Sequence, residues 1–353
     1  MINLLRIRQP VLVPCVPLRR PVRARQALST AAAAFVAAQI VFHLAVQRNW
    51  LPLRDPVYFE KYALIKKLPA FWADSASVPR LLAVGSSRTH LAFDATRFGK
   101  AVGCEAFNFG TPAGGPLTSD LYLRRLFAAG FRTEFVLIEW HPAFTSASCP
   151  DYEDRWLHTY RLRGEEFETL ARLGHPRQKP GPFHALDSFQ TYKFALLNRY
   201  CPVLMSNRFG QLFGAISDAR GYMPGLERDA SIYSKLLVRT REEYAPALDD
   251  YSVGGPGLAA VQDEVRFARE HGAKPIVLLL PESRDFRSWY GVEGNAGIEA
   301  AKASLGCTVI DARDWLPDTA FTDGHHLTRA AGPQFTDRLA DALREVVRKA
   351  GVK

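Results

Sequence analysis

The sequence predicts an α/β protein: a three-layer sandwich on a five-stranded parallel sheet, with a helical insertion after the third strand and an N-terminal transmembrane helix. Three observations carry this. Short apolar runs of strand length alternate with amphipathic stretches of helix length. The alternation is broken once, between about residues 145 and 254, by a segment rich in Tyr, Phe, Arg and Leu. A single apolar stretch without charges stands ahead of the whole pattern.

That stretch, "ALSTAAAAFVAAQIVFHLAV" at 27–46, comes after Arg6, Arg8, Arg19, Arg20, Arg23 and Arg25. Twenty helical residues rise about 30 Å, the thickness of a bilayer's hydrocarbon core. A basic flank on the N-terminal side keeps that end cytoplasmic and exports the rest of the chain. The expected organisation is a basic cytoplasmic segment (1–26), a signal-anchor helix (27–46), a tether (47–77) and an α/β domain (78–353). The location expected is the bacterial inner membrane, single-pass, with the C-terminal domain periplasmic or otherwise extracytoplasmic. Ser29, Thr30, Gln39 and His43 make the span only moderately apolar, so a cleaved signal and a soluble helix remain open alternatives. The six arginines supply most of the formal charge of +9. The remainder is unremarkable, and no nucleic-acid partner is expected.

Beyond the tether the strands read as "RLLAVGSS" (80–87), "EAFNFG" (105–110), "EFVLIEW" (134–140), "KPIVLLLP" (274–281) and "CTVIDA" (307–312). Helical stretches cover 116–129, 255–271, 293–304 and 330–349. Apolar strands buried on both faces and separated by helices imply a parallel sheet covered on each side. At 353 residues and 47% hydrophobic, the chain has ample material for such a core. Cys104 and Cys307 open apolar runs and read as buried free thiols, whereas Cys149 and Cys201 would pair if the fold brought them close. No C-x-x-C spacing suggests zinc, and no cofactor is implied.

Ligands of open parallel sheets bind beyond the strands' carboxyl ends, so those residues decide function. The first strand ends in Gly85, Ser86, Ser87 and Arg88, where a serine serves either as a helix cap or as an exposed nucleophile. "NFGTPAGGP" after the second strand, with Asn108, Gly110, Gly114 and Gly115, is either a plain turn or a loop aiming N–H groups at an oxyanion. Glu139, Trp140 and His141 end the third strand. After the fifth comes "FTDGHHLT" (321–328). It is either a turn leading into a Thr328 cap, or a loop holding an orienting acid, Asp323, and a base, His326. His325, between them, is expected to point elsewhere, into solvent or toward substrate. A metal site from Asp323, His325, His326 and His141 is disfavoured, because adjacent histidines rarely reach one ion together.

Taken together, these strand ends resemble the SGNH-type serine hydrolase superfamily with its GDSL-like esterases. "AVGSSR" resembles the first block, which places Ser87 at the nucleophile position and leaves Ser86 where an acid is usual. "FNFGTPAGG" is similar to the second block, and "DGHH" to the D-x-x-H of the last. The third block's Asn is missing, with "EWHP" in its place. The resemblance implies a flavodoxin-like sheet, catalytic Ser87, His326 and Asp323, and oxyanion donors drawn from Ser87, Gly114 and His141. No metal or cofactor is implied. The divergent envelope members are the most similar, those resembling alginate O-acetyltransferase-like and D-alanyl-lipoteichoic-acid biosynthesis proteins. The activity this implies is that of a membrane-anchored O-acetyltransferase or acyl esterase acting on a cell-envelope polysaccharide or glycan, with a membrane-bound O-acyltransferase as a further partner. The alternative is a catalytically inactive glycan-binding or scaffold protein of an envelope assembly complex, and the missing Asn is its main support.

Overall fold

Successive side chains of a strand point to opposite faces, so a strand apolar throughout needs cover on both. The computed structural model, which describes residues 21–74, 77–205 and 217–348, meets that demand. Arg6, Arg8, Arg19, Arg20 and Cys15 lie outside the described residues. Strands β1 (Arg80–Gly85), β2 (Glu105–Gly110), β3 (Phe135–Glu139), β4 (Lys274–Leu279) and β5 (Thr308–Asp311) form one parallel sheet in the order β2-β1-β3-β4-β5. This is the doubly wound order, whose chain reversal lies between β1 and β3.

The period of two sorts the core. Leu82, Val84, Val136, Ile138, Val277 and Leu279 face one layer, with α5 (Pro116–Ala128) and α9 (Gly255–Glu270). Leu81, Ala83, Phe135, Leu137, Ile276 and Leu278 face the other, with α4 (Ala95–Val102) and α12 (Ala331–Arg348). Of the two edge strands, β2 is covered by the chain at Arg220, whose carbonyl accepts the Asn108 N–H, whereas the residues of β5 stay partly open. Cys307 beside it is accordingly only half-buried, a departure from the expected core thiol. Cys104 is buried and free, and Cys149 and Cys201 are unpaired as well.

The N-terminal helix α1 (Pro21–Gln47) contains Ala24–Gln47, the candidate membrane span, at mean hydropathy 1.7. The stretch read as a tether packs against the domain. Its helix α2 (Pro56–Ile65) and the turn Pro69–Trp72 bury Tyr58, Ile65 and Phe71 in the main core. Asp55 starts α2 by accepting the Tyr58 N–H. Among its described residues the insertion contains α6 (Glu166–Arg172), α7 (Ser188–Tyr200) and α8 (Tyr233–Leu248), with short 3₁₀ turns ahead of α6 and on either side of α7. The short helices α3 (Ser87–Ala92) and α10 (Arg284–Ser288) come after β1 and β4, and α11 (Gly291–Ser304) precedes β5.

Candidate active site

Four strand-end loops meet at the carboxyl edge of the sheet. After β1 the chain turns at Gly85, where an added Cβ would lie 2.6 Å from Glu139 Cβ, so no other residue fits. Ser86 is the N-cap of α3, its hydroxyl accepting the Arg88 N–H at 3.0 Å. Ser87 is the first helical residue, and its N–H has no intrahelical acceptor. Its hydroxyl is therefore held at a helix N-terminus with its side chain half-buried.

The octapeptide after β5 folds back on itself. Phe321 bridges Leu327, Thr322 N–H donates to His326 O, and Thr328 N–H to Ala320 O. Gly324 (φ +99°) makes the turn in a conformation that favours glycine, and a Cβ there would press on Leu237 Cδ1 at 2.8 Å. Asp323 Oδ1 accepts the His326 N–H at 2.9 Å, while Oδ2 lies 2.8 Å from His326 Nδ1. The other ring nitrogen, Nε2, is 2.8 Å from Ser87 Oγ. Residues 239 positions apart thus form one hydrogen-bonded chain, Ser87–His326–Asp323. Thr328 also caps α12, accepting the Ala331 N–H, so the segment that brings Asp323 and His326 together also starts the last helix.

Electrostatics fit the chain. Burial opposes a charged His326, but the Asp323 carboxylate and its hydrogen bond outweigh that, raising the imidazole above its ordinary pKa. Burial pushes Asp323 upward, yet the two histidines and their hydrogen bonds hold it well below the usual carboxylate range. His325 behaves otherwise. It does not point into solvent: it is buried, stacked on Phe286 at 5.3 Å and beside His326 at 3.9 Å. Burial, then the neighbouring His326 charge, holds it well below the ordinary histidine value, hence neutral.

The oxyanion donors expected from sequence stand differently. Gly114 N–H donates to Thr111 O at 3.2 Å, inside a turn in which Ala113 holds φ +57°. Gly115 N–H, with those of Leu117 and Thr118, is taken by Glu153, a buried carboxylate from the insertion. It caps α5 from a distance. His141 is buried, with Nε2 3.3 Å from Tyr244 Oη and Nδ1 without a partner. Tyr244 Oη is also 3.3 Å from His325 Nε2. His141 therefore stands behind His325 and bonds to Tyr244.

Several supporting residues carry no sequence motif. Glu139 takes the Ser86 N–H (2.6 Å), the Ser86 hydroxyl (2.8 Å) and the Thr89 hydroxyl (2.6 Å), fixing the turn that carries Ser87. Its signal was a charge ending an apolar strand. Arg88 is buried and paired with Glu282 at 3.0 Å, and also donates to Leu280 O and Pro281 O. Asn108 donates to the carbonyls of Thr89 and Phe93, which terminates α3. Nothing in the spacing pointed to Glu153 or Tyr244.

Ligand atoms of Asp323, His325 and His326 lie within 4.8 Å of one another, as do those of Asp151, Asp154 and His175. In the first group both Asp323 oxygens and both His326 ring nitrogens are already engaged. In the second, Asp154 is paired with Arg177.

No protein-family model and no curated protein sequence matches this chain. Among solved structures it is similar to an acetyl xylan esterase, Est2A, from the rumen bacterium Butyrivibrio proteoclasticus, at 12% identity and a TM-score of 0.31. The match covers 76% of this chain and spans 64% of that esterase. A likeness of that degree decides neither fold nor activity, which rest on the sheet order and the geometry of Ser87, His326 and Asp323.

Proposed function

We propose that this protein is a membrane-anchored SGNH-type acyl-transfer enzyme, with Ser87 as nucleophile, His326 as general base and Asp323 as orienting acid. The observation that carries it is the continuous hydrogen-bonded chain at the edge of the sheet, with 2.8 Å at each link. His326 Nε2 takes the Ser87 proton as Oγ attacks an ester carbonyl. The bond from the acyl carbon to the leaving oxygen breaks, and that oxygen takes the proton from His326. A second hydroxyl then repeats the sequence in reverse on the Ser87 ester and carries the acyl group away. Asp323 keeps Nδ1 protonated and Nε2 free.

The resting geometry offers the Ser87 N–H as the first oxyanion donor. A second one from Gly114 requires its turn to open, because that N–H is bonded to Thr111 O. The substrate class is an envelope polysaccharide or glycan, with a membrane-bound O-acyltransferase as the partner that supplies the acyl group. The site is extracytoplasmic, beside the inner membrane.

A second reading is a non-catalytic glycan-binding or scaffold protein. The committed Gly114 and Gly115 amides and the Trp140-His141 pair in place of the third-block Asn favour it. A fluorophosphonate probe on the full chain in detergent separates the two. Labelling lost in Ser87→Ala, with thermal stability kept, is expected of the enzyme. No labelling of the native chain, or labelling that survives Ser87→Ala, overturns it.

A further inference from the structure

The apolar side chains that remain exposed are not scattered. Among the described residues nineteen large hydrophobic ones are exposed, and six of these lie on α1 while seven fall between Phe183 and Leu204. The two groups adjoin. Gln39, Phe42, His43 and Val46 stand at i, i+3, i+4 and i+7, one stripe of α1. That stripe is docked on the insertion. Phe42 stacks on Phe189 with centroids 4.3 Å apart and planes at 11°. Gln39 Oε1 accepts the Phe189 N–H at 3.0 Å, and His43 Nδ1 lies 2.9 Å from Ser188 Oγ. Val46 packs with Leu53, Tyr192 and Ala195. Gln39 and His43, two of the polar residues that weaken α1 as a span, hold α7 in place.

This docking fixes a depth. From Gln39 to Gln47 the helix rises about 12 Å. A span ending at Gln39 would retain only about 18 Å of the apolar stretch from Ala27, short of a hydrocarbon core of about 30 Å. The docked turns therefore lie within the lipid boundary, and α7 lies there with them. We infer that residues 183–204 form a second membrane-contacting surface, an interfacial platform in the headgroup and outer acyl layer where α1 emerges. Its occupant is lipid. Phe183 (78% exposed), Val203 (90%) and Leu204 (69%) supply apolar area. Lys193 and Arg199, against Asp187, make the platform net positive, the sign that anionic headgroups attract. Trp50, 73% exposed and three residues past α1, stands where interfacial aromatic residues collect.

The inference rests on α1 crossing the membrane, and one experiment separates the two. The full chain is reconstituted in phosphatidylcholine–phosphatidylglycerol vesicles whose lipids carry a diazirine in the acyl chain. After illumination, adducts are mapped by mass spectrometry. Val292, 88% exposed in another part of the chain, is the internal control for an apolar side chain facing water. Adducts are expected in α1 and in 183–204, the latter about tenfold above the peptide holding Val292, as interfacial burial requires. The triple variant Phe183→Asp, Val203→Asp, Leu204→Asp should lose the second set and keep the first. Adducts in α1 with 183–204 no higher than the Val292 peptide overturn the platform and leave the anchor standing. No adducts in α1 overturn both.

Discussion

Glu139 offers the most demanding test of how the nucleophile is held. Its buried carboxylate accepts three hydrogen bonds, two at Oε2 from the Ser86 N–H and the Thr89 hydroxyl, and one at Oε1 from the Ser86 hydroxyl. In Glu139→Gln the remaining oxygen keeps the first two donors, but the new amide faces Ser86 Oγ and reverses that bond. Hydrogen bonds to a charged group contribute about 1.5–3 kcal/mol against about 0.5–1.5 for neutral ones. Losing about 1 kcal/mol at each of three bonds gives a destabilisation of about 2–3 kcal/mol. For a domain of this size that is a fall in Tm of roughly 3–5 °C. Glu139→Ala leaves three buried donors unpaired and should cost more. Ser86 directly precedes Ser87, so a loosened turn also misplaces the nucleophile, and a shift of 1 Å costs on the order of 10² in rate. Calorimetry gives the first quantity, and the fluorophosphonate labelling rate, measured well below Tm, the second. If Glu139→Gln left Tm within about 1 °C and the labelling rate unchanged, the carboxylate would not be what positions Ser87.

The two histidines should respond differently to pH and to substitution. Labelling needs neutral His326, whose pKa is raised by Asp323, so the rate should climb with pH through a midpoint above the ordinary histidine value. Asp323→Asn removes the largest raising charge and leaves burial and Arg88 opposed only by Glu243, so the midpoint should move to lower pH while the plateau falls; an unmoved midpoint contradicts the assignment. His325→Ala should act on stability, because it empties a site packed against Phe286, Tyr244 and His326, at a cost of about 2–4 kcal/mol by comparison with buried aromatic truncations. A variant with native Tm but no labelling would instead make His325 part of the chemistry.

The sheet was legible because its strands announce themselves. "LLAV", "VLIE" and "IVLLL" are too short for helices and too apolar for surface strands, and the segments between them have helical length. The right-handed crossover that parallel strands require limits the orders they can take. That Ser87, Asp323 and His326 would meet was legible because each sits in a short motif at a strand end. Glu153 and Tyr244 were not, since a carboxylate that caps a helix from a loop 35 residues away has no local spacing to betray it. How the tether and its short helices at 47–77 would pack was not legible for a similar reason. Proline and aromatic residues describe a linker and a docked helix equally well, and only Asp55, Tyr58 and Phe71 meeting the domain distinguishes them.

The insertion and that N-terminal stretch are parts of one folding unit with the sheet, and Arg125 on α5 shows why. Its guanidinium is buried and bonded to Asp55 ahead of α2 at 2.6 Å, to Glu166 of α6 at 2.6 Å, and to the Arg161 carbonyl at 3.0 Å. A buried cation stripped of its partners costs several kcal/mol, so neither segment can leave without exposing α5 to that penalty. Removal of the insertion would also free the Gly115, Leu117 and Thr118 amides from Glu153 and take Tyr244 from His325. The loop after β2 and His325 are thus both set by residues from 145–254. A loss of site geometry and a loss of stability should therefore accompany each other in any deletion there, whereas substitutions at Ser87 separate them.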